Sequence, residues 1–447
     1  MFENKKIFIL GFARSGYEAA KFLIKRGNDV LINDGKEEDK VDQEKLSELR
    51  ALGVKFFFGS HPDELLDESY DYLIKNPGVP IHHKYVEKAE KLGIEVINEV
   101  EMAYRLLPKD VTLIGITGTN GKTTTTTLTY EIIKSSGINA HLAGNIGYPL
   151  CSFLDKLKSG DVIVMETSCQ QLNNLTEFKP HIAVMTNLSE AHVDFFDNDY
   201  GKYKDVKTKI FQNQTKDDIA ILNLENEEVL EQTKNIESNK LYFSSNEKTD
   251  CYLENDIIYY NNEKVVDTND MIIVGKHNAE NVMAAILVAK QFNISNEVIN
   301  DVVCNFKGVE HRLEFCGEVS GVKYYNDTEA TNIKCTQIAL SSFNKPTVII
   351  LGGLERGQDF NDLTPYMKNV KGIIAIGQCR NRVKEYADSL NIPVYVHEHL
   401  KEGFKEIPSI VNEGDVVLLS PASASWDQYK ECEIRGAEFK KYVSELK

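Results

Sequence analysis

The chain has 447 residues, 42% hydrophobic and 27% charged, with a formal net charge of −17. That length exceeds what one hydrophobic core usually supports, so three domains with a sizeable buried core are expected, and the composition excludes a disordered chain. The acidic balance argues against broad nucleic-acid binding, which draws on clustered basic residues, yet leaves room for a phosphorylated small substrate held by a few placed lysines and arginines.

No apolar run approaches the roughly 20 residues that span a bilayer, and Met1–Lys6 leads directly into a strand. Neither membrane insertion nor export is expected. The eight cysteines are scattered, with no Cys-x-x-Cys pair. They read as free thiols in a reducing cytoplasm. A monomer is expected.

The opening alternates strand and helix: Lys6–Gly11 is a short apolar run, Ser15–Lys25 has helical spacing, and Asp29–Asn33 is a second strand. Tyr72–Ile74 and Ile94–Ile97 fit further strands of the same parallel sheet, and Pro108-Lys109-Asp110 reads as a linker. The expected domains are therefore 1–107, 108–308 and 309–447. The first and third are Rossmann-like α/β folds and the second is a P-loop ATPase-type α/β fold.

In the second domain, strand Val111–Ile116 runs through a glycine loop into a Thr-rich helix, and Asp161–Met165, His181–Met185 and Ile219–Leu222 are buried-strand candidates. The polar, tyrosine-rich stretch Asn246–Asn269 reads as a small antiparallel excursion. A third alternation after Gly308 contains Thr347–Leu351, Gly372–Ile376, Val394–Val396 and Val416–Leu419, each short, apolar and β-branched, as doubly covered strands tend to be.

The loop Gly118-Thr119-Asn120-Gly121-Lys122-Thr123-Thr124 lies between strand and helix, so its backbone N–H groups and the helix N-terminus converge on phosphate oxygens. Lys122 adds a point charge at the outer phosphates, and Thr123 offers a hydroxyl to Mg²⁺. The spacing departs from the usual Gly-x₄-Gly-Lys-[Ser/Thr] pattern, which would put glycine at Ile116.

At the N-terminus, Gly11-Phe12-Ala13-Arg14-Ser15-Gly16 followed by Asp34 is either an ordinary tight βα turn or a diphosphate-binding turn with an acid for a ribose or base. Glu166 and His192 both fall at strand ends beside the phosphate loop, where a carboxylate and an imidazole suit Mg²⁺. Lys207, in a helical stretch, reads by itself as a solvent-facing lysine.

Taken together, Thr117–Thr124, Gly144-Asn-Ile-Gly147, His277-Asn-Ala-Glu-Asn281, His311-Arg312, Asn326-Asp327, Leu351–Gly357 and Leu419–Gln428 resemble the Mur ligase family across essentially the whole chain. The resemblance is closest to members that join D-glutamate to UDP-N-acetylmuramoyl-L-alanine, and it implies an ATP-dependent amide-bond-forming ligase working through an acyl phosphate. It further implies two Mg²⁺ ions, one bridged by a carbamylated Lys207, which reverses the solvent-facing reading.

By the same likeness Asn281, Arg312 and Asp327 hold ATP, Asn145 contacts the first substrate, and Ser15, Asp34 and Asn76 contact its uridine and diphosphate. Thr331, Arg356 and Ser425 hold D-glutamate. Several positions depart from the family pattern: Glu329 replaces a lysine, Ala191 an aspartate and Cys432 a phenylalanine, and Cys169-Gln170 stands within an otherwise Ser-Ser-Phe-Gln-Leu stretch. These departures leave open a silent nucleotide-binding scaffold, while the N-terminal βα unit argues against a folate ligase.

Overall fold

A computed structural model describes residues 1–191 and 193–446. The chain forms two compact units, Met1–Val265 with Glu280–Val302 and Val266–Ala279 with Val303–Lys447.

The first unit opens with a five-stranded parallel sheet of order β3-β2-β1-β4-β5, comprising β1 (Lys6–Leu10), β2 (Asp29–Asp34), β3 (Lys55–Phe58), β4 (Tyr72–Lys75) and β5 (Glu95–Ile97). Alternation along β1 divides its apolar residues between two layers. Ile7 and Ile9 pack with Tyr17, Ala20 and Leu23 of the helix Arg14–Ile24. Phe8 and Leu10 pack with Leu73 and with Tyr85, Val86 and Ala89 of the helix Lys84–Leu92. With helices on both faces, the open edge of the sheet lies at the carboxyl ends of its strands, and the strand order turns between β1 and β4, where such sheets bind ligands.

A nine-stranded sheet follows, of order β14-β13-β12-β11-β10-β9-β6-β8-β7. Its strands are β6 (Thr112–Thr117), β7 (Ala140–Gly144), β8 (Val162–Glu166), β9 (Ile182–Met185), β10 (Ile219–Asn223), β11 (Asn239–Ser244), β12 (Cys251–Glu254), β13 (Ile257–Tyr260) and β14 (Glu263–Asp267). The central β6 pairs in parallel with β8 and β9, bringing Ile116 level with Glu166 and Thr117 level with Met185. The expected antiparallel excursion is the β12–β13 hairpin, turned at Asn255 and Asp256, both at positive φ as a tight hairpin requires. Through β12 it also extends the central sheet alongside β11.

The second unit holds a six-stranded sheet of order β15-β16-β20-β17-β18-β19, from β15 (Glu314–Val319), β16 (Val322–Asn326), β17 (Thr347–Gly352), β18 (Val370–Ile376), β19 (Val394–Val396) and β20 (Val416–Leu419). It is parallel except for the β15–β16 hairpin at its edge. The fold is thus three-domain α/β, as its alternating pattern predicts.

One buried carboxylate ties the N-terminal segment to the central one. Glu101, in the helix Glu99–Tyr104, accepts backbone N–H bonds from Thr176 (3.1 Å), Glu177 (2.8 Å) and Phe178 (3.1 Å), and also pairs with Arg105 Nε at 3.0 Å. Removing the acid strands three amide donors and takes from Arg105 its buried partner, leaving that guanidinium to Glu95 and Glu177, a loss on the order of 3 kcal/mol. Urea unfolding of Glu101→Ala should show that loss; a change below about 1 kcal/mol would refute this role for the carboxylate.

Candidate active site

The phosphate loop leaves β6 at Thr117. Gly118 has φ +147° and Gly121 φ +80°, conformations that a side chain rarely adopts. A Cβ on Gly118 would lie 1.9 Å from Thr186 Oγ1, and one on Gly121 2.2 Å from Asn281 Oδ1. Glycine is therefore needed for close approach as well as for the turn.

Neighbouring strand ends hold the loop from outside: Thr119 N–H donates to Asn187 O (2.8 Å), Asn120 N–H to Asn187 Oδ1 (2.9 Å), and Thr186 Oγ1 to Asn120 O (2.6 Å). Gly121 then caps the helix Lys122–Ser135 without a side-chain acceptor. The first-turn amides, with the positive end of the helix dipole, favour an anion there.

Lys122 Nζ curls back to donate to Gly118 O (3.0 Å) and Thr119 O (2.8 Å). Lys207, in the helix Tyr200–Thr208, donates to the same Gly118 oxygen at 2.7 Å and to Thr117 Oγ1 at 3.3 Å. Far from facing solvent, it is 1% exposed, with Nζ 5.1 Å from the Tyr203 ring centre. Burial, reinforced by the charge of Lys122, lowers its pKa to about 7.

Beside it on β8, Glu166 is also 1% exposed. Its Oε1 accepts from Asn145 Nδ2 at 2.7 Å, while Oε2 is buried with no hydrogen-bond partner among the described residues. A buried carboxylate oxygen left without a donor is suited to a hard cation. Asn145 N–H also donates to Glu166 O (2.9 Å). Asn281 Oδ1 accepts from Thr125 Oγ1 at 3.2 Å, which brings it against the first turn of the helix after the loop. His192 lies outside the described residues.

At the N-terminal sheet edge, Asp34 accepts from Phe12 N–H (2.7 Å) and Lys36 N–H (2.9 Å), and so fixes the Gly11–Gly16 turn from below. Asn76 bonds both Gly11 O and Ser15 Oγ. A residue that the sequence reading passed over joins this turn to the central sheet. Arg14 donates to Gly147 O (3.0 Å) and Asn145 O (3.1 Å).

In the second unit, Asp327 is buried and accepts from Ser420 Oγ (2.7 Å) and Leu313 N–H (3.2 Å). Arg312 stands 3.8 Å from Glu329, which gives the unexpected acid a basic neighbour. Thr331 follows in the same loop, its N–H bonded to Glu329 O at 2.8 Å. Arg356 lies over the exposed Trp426 ring at 4.6 Å, and Ser425 Oγ is buried without a partner among the described residues. The hub of this region, also passed over in sequence, is the buried Arg435. It donates to Thr328 Oγ1 (2.9 Å), Thr328 O (3.1 Å) and Ser423 O (3.2 Å), binding two loops together.

A strand, a glycine loop at positive φ and an uncapped helix start, with two lysines and a carboxylate around them, form an arrangement of the α/β class that suits a phosphate group. Residues 5–98 match the Mur ligase MurD-like N-terminal domain, 116–289 the Mur ligase middle domain, and 311–423 the Mur ligase glutamate ligase domain. The chain is 45% identical to UDP-N-acetylmuramoylalanine--D-glutamate ligase of Enterococcus hirae over 99% of its own length and 97% of the relative's. It is 39% identical to the same-named protein of Staphylococcus aureus strain MW2, covering 98% and 96%. Among solved structures, MurF ligase from Thermotoga maritima in complex with ADP superposes with a TM-score of 0.60 at 16% identity, covering 100% of this chain and 96% of that one. The chain belongs to the Mur ligase family.

Burial raises the Asp327 carboxyl to about 7, against roughly 3.9 in an unfolded chain. The folded state therefore holds a proton that the unfolded state has released, and this contribution is present below about pH 4 and lost as pH rises through 7. Asp327→Asn removes the charge; its amide oxygen keeps the bond from Leu313 N–H, and its Nδ2 donates to Ser420 Oγ in place of the bond that Ser420 donated. Its melting temperature should exceed wild type by several degrees at pH 8, with the gap narrowing at pH 5; a pH-independent gap would contradict the raised pKa.

Proposed function

We propose that the chain is an ATP-dependent ligase that adds D-glutamate to UDP-N-acetylmuramoyl-L-alanine, working as a monomer in the cytoplasm in peptidoglycan precursor synthesis. Domain divisions near residues 108 and 308 accompany this reading. The observation that carries it is the pair of lysines on Gly118 O beside the unpartnered Glu166 oxygen. The relatives' names, at 39–45% identity over nearly full length, supply the substrates.

An amine does not displace oxide from a carboxylate, so the carboxylate must first be activated. An oxygen of the alanyl carboxylate attacks the γ-phosphorus of ATP, the bond to the bridging oxygen breaks, and ADP leaves. The D-glutamate amine then attacks the acyl carbon. Phosphate departs as the carbon–oxygen bond breaks, and the amine loses its proton as the amide forms.

Little covalent chemistry falls to the protein, whose task is positioning and charge stabilisation. Gly118–Thr124 cradle the phosphates and Lys122 follows the charge on the transferred group, with Asn281, Arg312 and Asp327 holding ATP. Asn145 with Ser15, Asp34 and Asn76 takes the first substrate. Thr331, Ser425 and Arg356 take D-glutamate, the Arg356 fork matching a carboxylate.

Glu166, with its open oxygen, fits Mg²⁺, and Thr123, His192 and a carbamylated Lys207 complete the ligands for two ions. Bound Mg²⁺ neutralises charge on the phosphoryl oxygens. Carbamylation joins the Lys207 nitrogen to the carbon of CO₂ with loss of a proton, and it requires the neutral amine that burial favours.

Phosphate release from ATP should require both UDP-N-acetylmuramoyl-L-alanine and D-glutamate; release driven by a different amino acid would sink the reading. Lys122→Ala should cut turnover at least a hundredfold, on the order of a lost transition-state donor. Lys207→Ala should be inactive and partly rescued by short carboxylates, whereas full activity without them would rule out the carbamate.

A further inference from the structure

The chain's one tryptophan, Trp426, is 66% exposed and carries the Arg356 guanidinium over its face, 4.6 Å from the ring centre. Backbone pairing sets this stack. β17 and β20 are adjacent and parallel, with Ile350 level with Leu419. The loops that leave them stay joined, Gly352 N–H donating to Pro421 O (2.9 Å) and Leu354 N–H to Ala424 O (2.8 Å). A Cβ on Gly353 would lie 2.3 Å from that same Ala424 oxygen, so glycine permits the close approach. Arg356 and Trp426 each stand two residues beyond the Leu354 and Ala424 pair. Gln358 fixes the arginine's backbone, accepting from Arg356 N–H (3.0 Å) while donating to Ser423 Oγ (2.6 Å).

Apart from the ring, the Arg356 side chain makes no hydrogen bond or ion pair among the described residues. Its neighbour Glu355 is taken by Arg382 and by Gly357 N–H (2.7 Å). The kind of partner decides what the guanidinium can still do. A carboxylate would occupy the N–H donors along the edge of the guanidinium plane. An aromatic face attracts the same cation through its quadrupole and leaves the edge donors open, so a two-pronged contact with an incoming carboxylate stays available. An exposed arginine held by nothing would instead sample many rotamers, and fixing them on binding would weaken that contact. Ser425, next to Trp426, is 1% exposed with its Oγ unpartnered among the described residues, a second polar group left open on the same turn.

We propose that Trp426 is a positioning residue for the incoming amino acid: its ring holds the Arg356 fork in place, with the edge donors free, for a carboxylate of that substrate. This deepens the reading of Arg356 and Ser425 as D-glutamate contacts and rests on it. Trp426 acts through the guanidinium and needs no contact with the substrate itself.

The test measures kcat and KM for D-glutamate by phosphate release from the full chain, at saturating ATP and UDP-N-acetylmuramoyl-L-alanine. Wild type is compared with Trp426→Ala, Trp426→Phe, Arg356→Ala and the double variant Arg356→Ala/Trp426→Ala. Trp426→Ala should raise KM for D-glutamate about fourfold, as for one exposed cation–π contact, with kcat within about twofold of wild type. KM for UDP-N-acetylmuramoyl-L-alanine should not move. Trp426→Phe keeps a ring and should recover most of the loss. Arg356→Ala should raise KM further, and adding Trp426→Ala to it should change nothing more, since the ring then has no guanidinium to hold. Melting temperatures of the Trp426 variants should match wild type, because the ring is already mostly in solvent. An unchanged KM in Trp426→Ala, no recovery in Trp426→Phe, or an added rise in the double variant would overturn the role of the ring. An unchanged KM in Arg356→Ala, or a wild-type chain that uses another amino acid in place of D-glutamate, would instead overturn the reading of the site on which the proposal rests.

Discussion

Two lysine nitrogens share one carbonyl oxygen: Lys122 and Lys207 both donate to Gly118 O, at 3.0 and 2.7 Å. Two full positive charges so close in a desolvated place repel strongly, since little solvent screens them. Burial is the larger cause of the fall of the Lys207 pKa to about 7, and the charge of Lys122 adds to it. The same oxygen belongs to the glycine whose +147° φ brings the loop against Thr186. Loop shape, lysine placement and the chemistry open to Lys207 thus follow from one crowded peptide. Glu166 adds a carboxylate to this neighbourhood because β6 and β8 are adjacent and in register.

Much of this order is legible in sequence. Short apolar runs flanked by glycine loops locate β1, β6, β8, β9, β17, β18 and β20 to within a residue or two, because strands covered on both faces must be apolar throughout. The edges are less visible. Ala140–Gly144 has little intrinsic strand character and becomes β7 by pairing with β8. The β15–β16 hairpin turns at Ser320 and Gly321, both at positive φ, a two-residue signal easily lost in a polar stretch.

Among site residues, the phosphate loop can be read locally because strand, loop and helix are contiguous. Lys207 cannot, since helical spacing says which residues share a face but not what covers it. Arg435 is hidden for the same reason. An arginine on a late helix ordinarily reaches solvent, and only tertiary packing reveals that 1% of it is exposed. Asp34 at a strand end is a candidate in sequence, but its two bonds to backbone amides, which set the shape of the turn, depend on tertiary structure.

The hydrogen bonds that Asn187 and Thr186 make to the phosphate loop bear on affinity as well as on shape. A loop that has to be organised by its ligand gives up part of the interaction energy as lost chain entropy, and binds more weakly for it. Here the two restrictive backbone positions and their anchors are set when the central sheet forms, so the ordering belongs to folding. On the proposed role of this loop, an incoming nucleotide meets a loop already shaped, and its affinity reflects the contacts themselves with little deducted for arranging them.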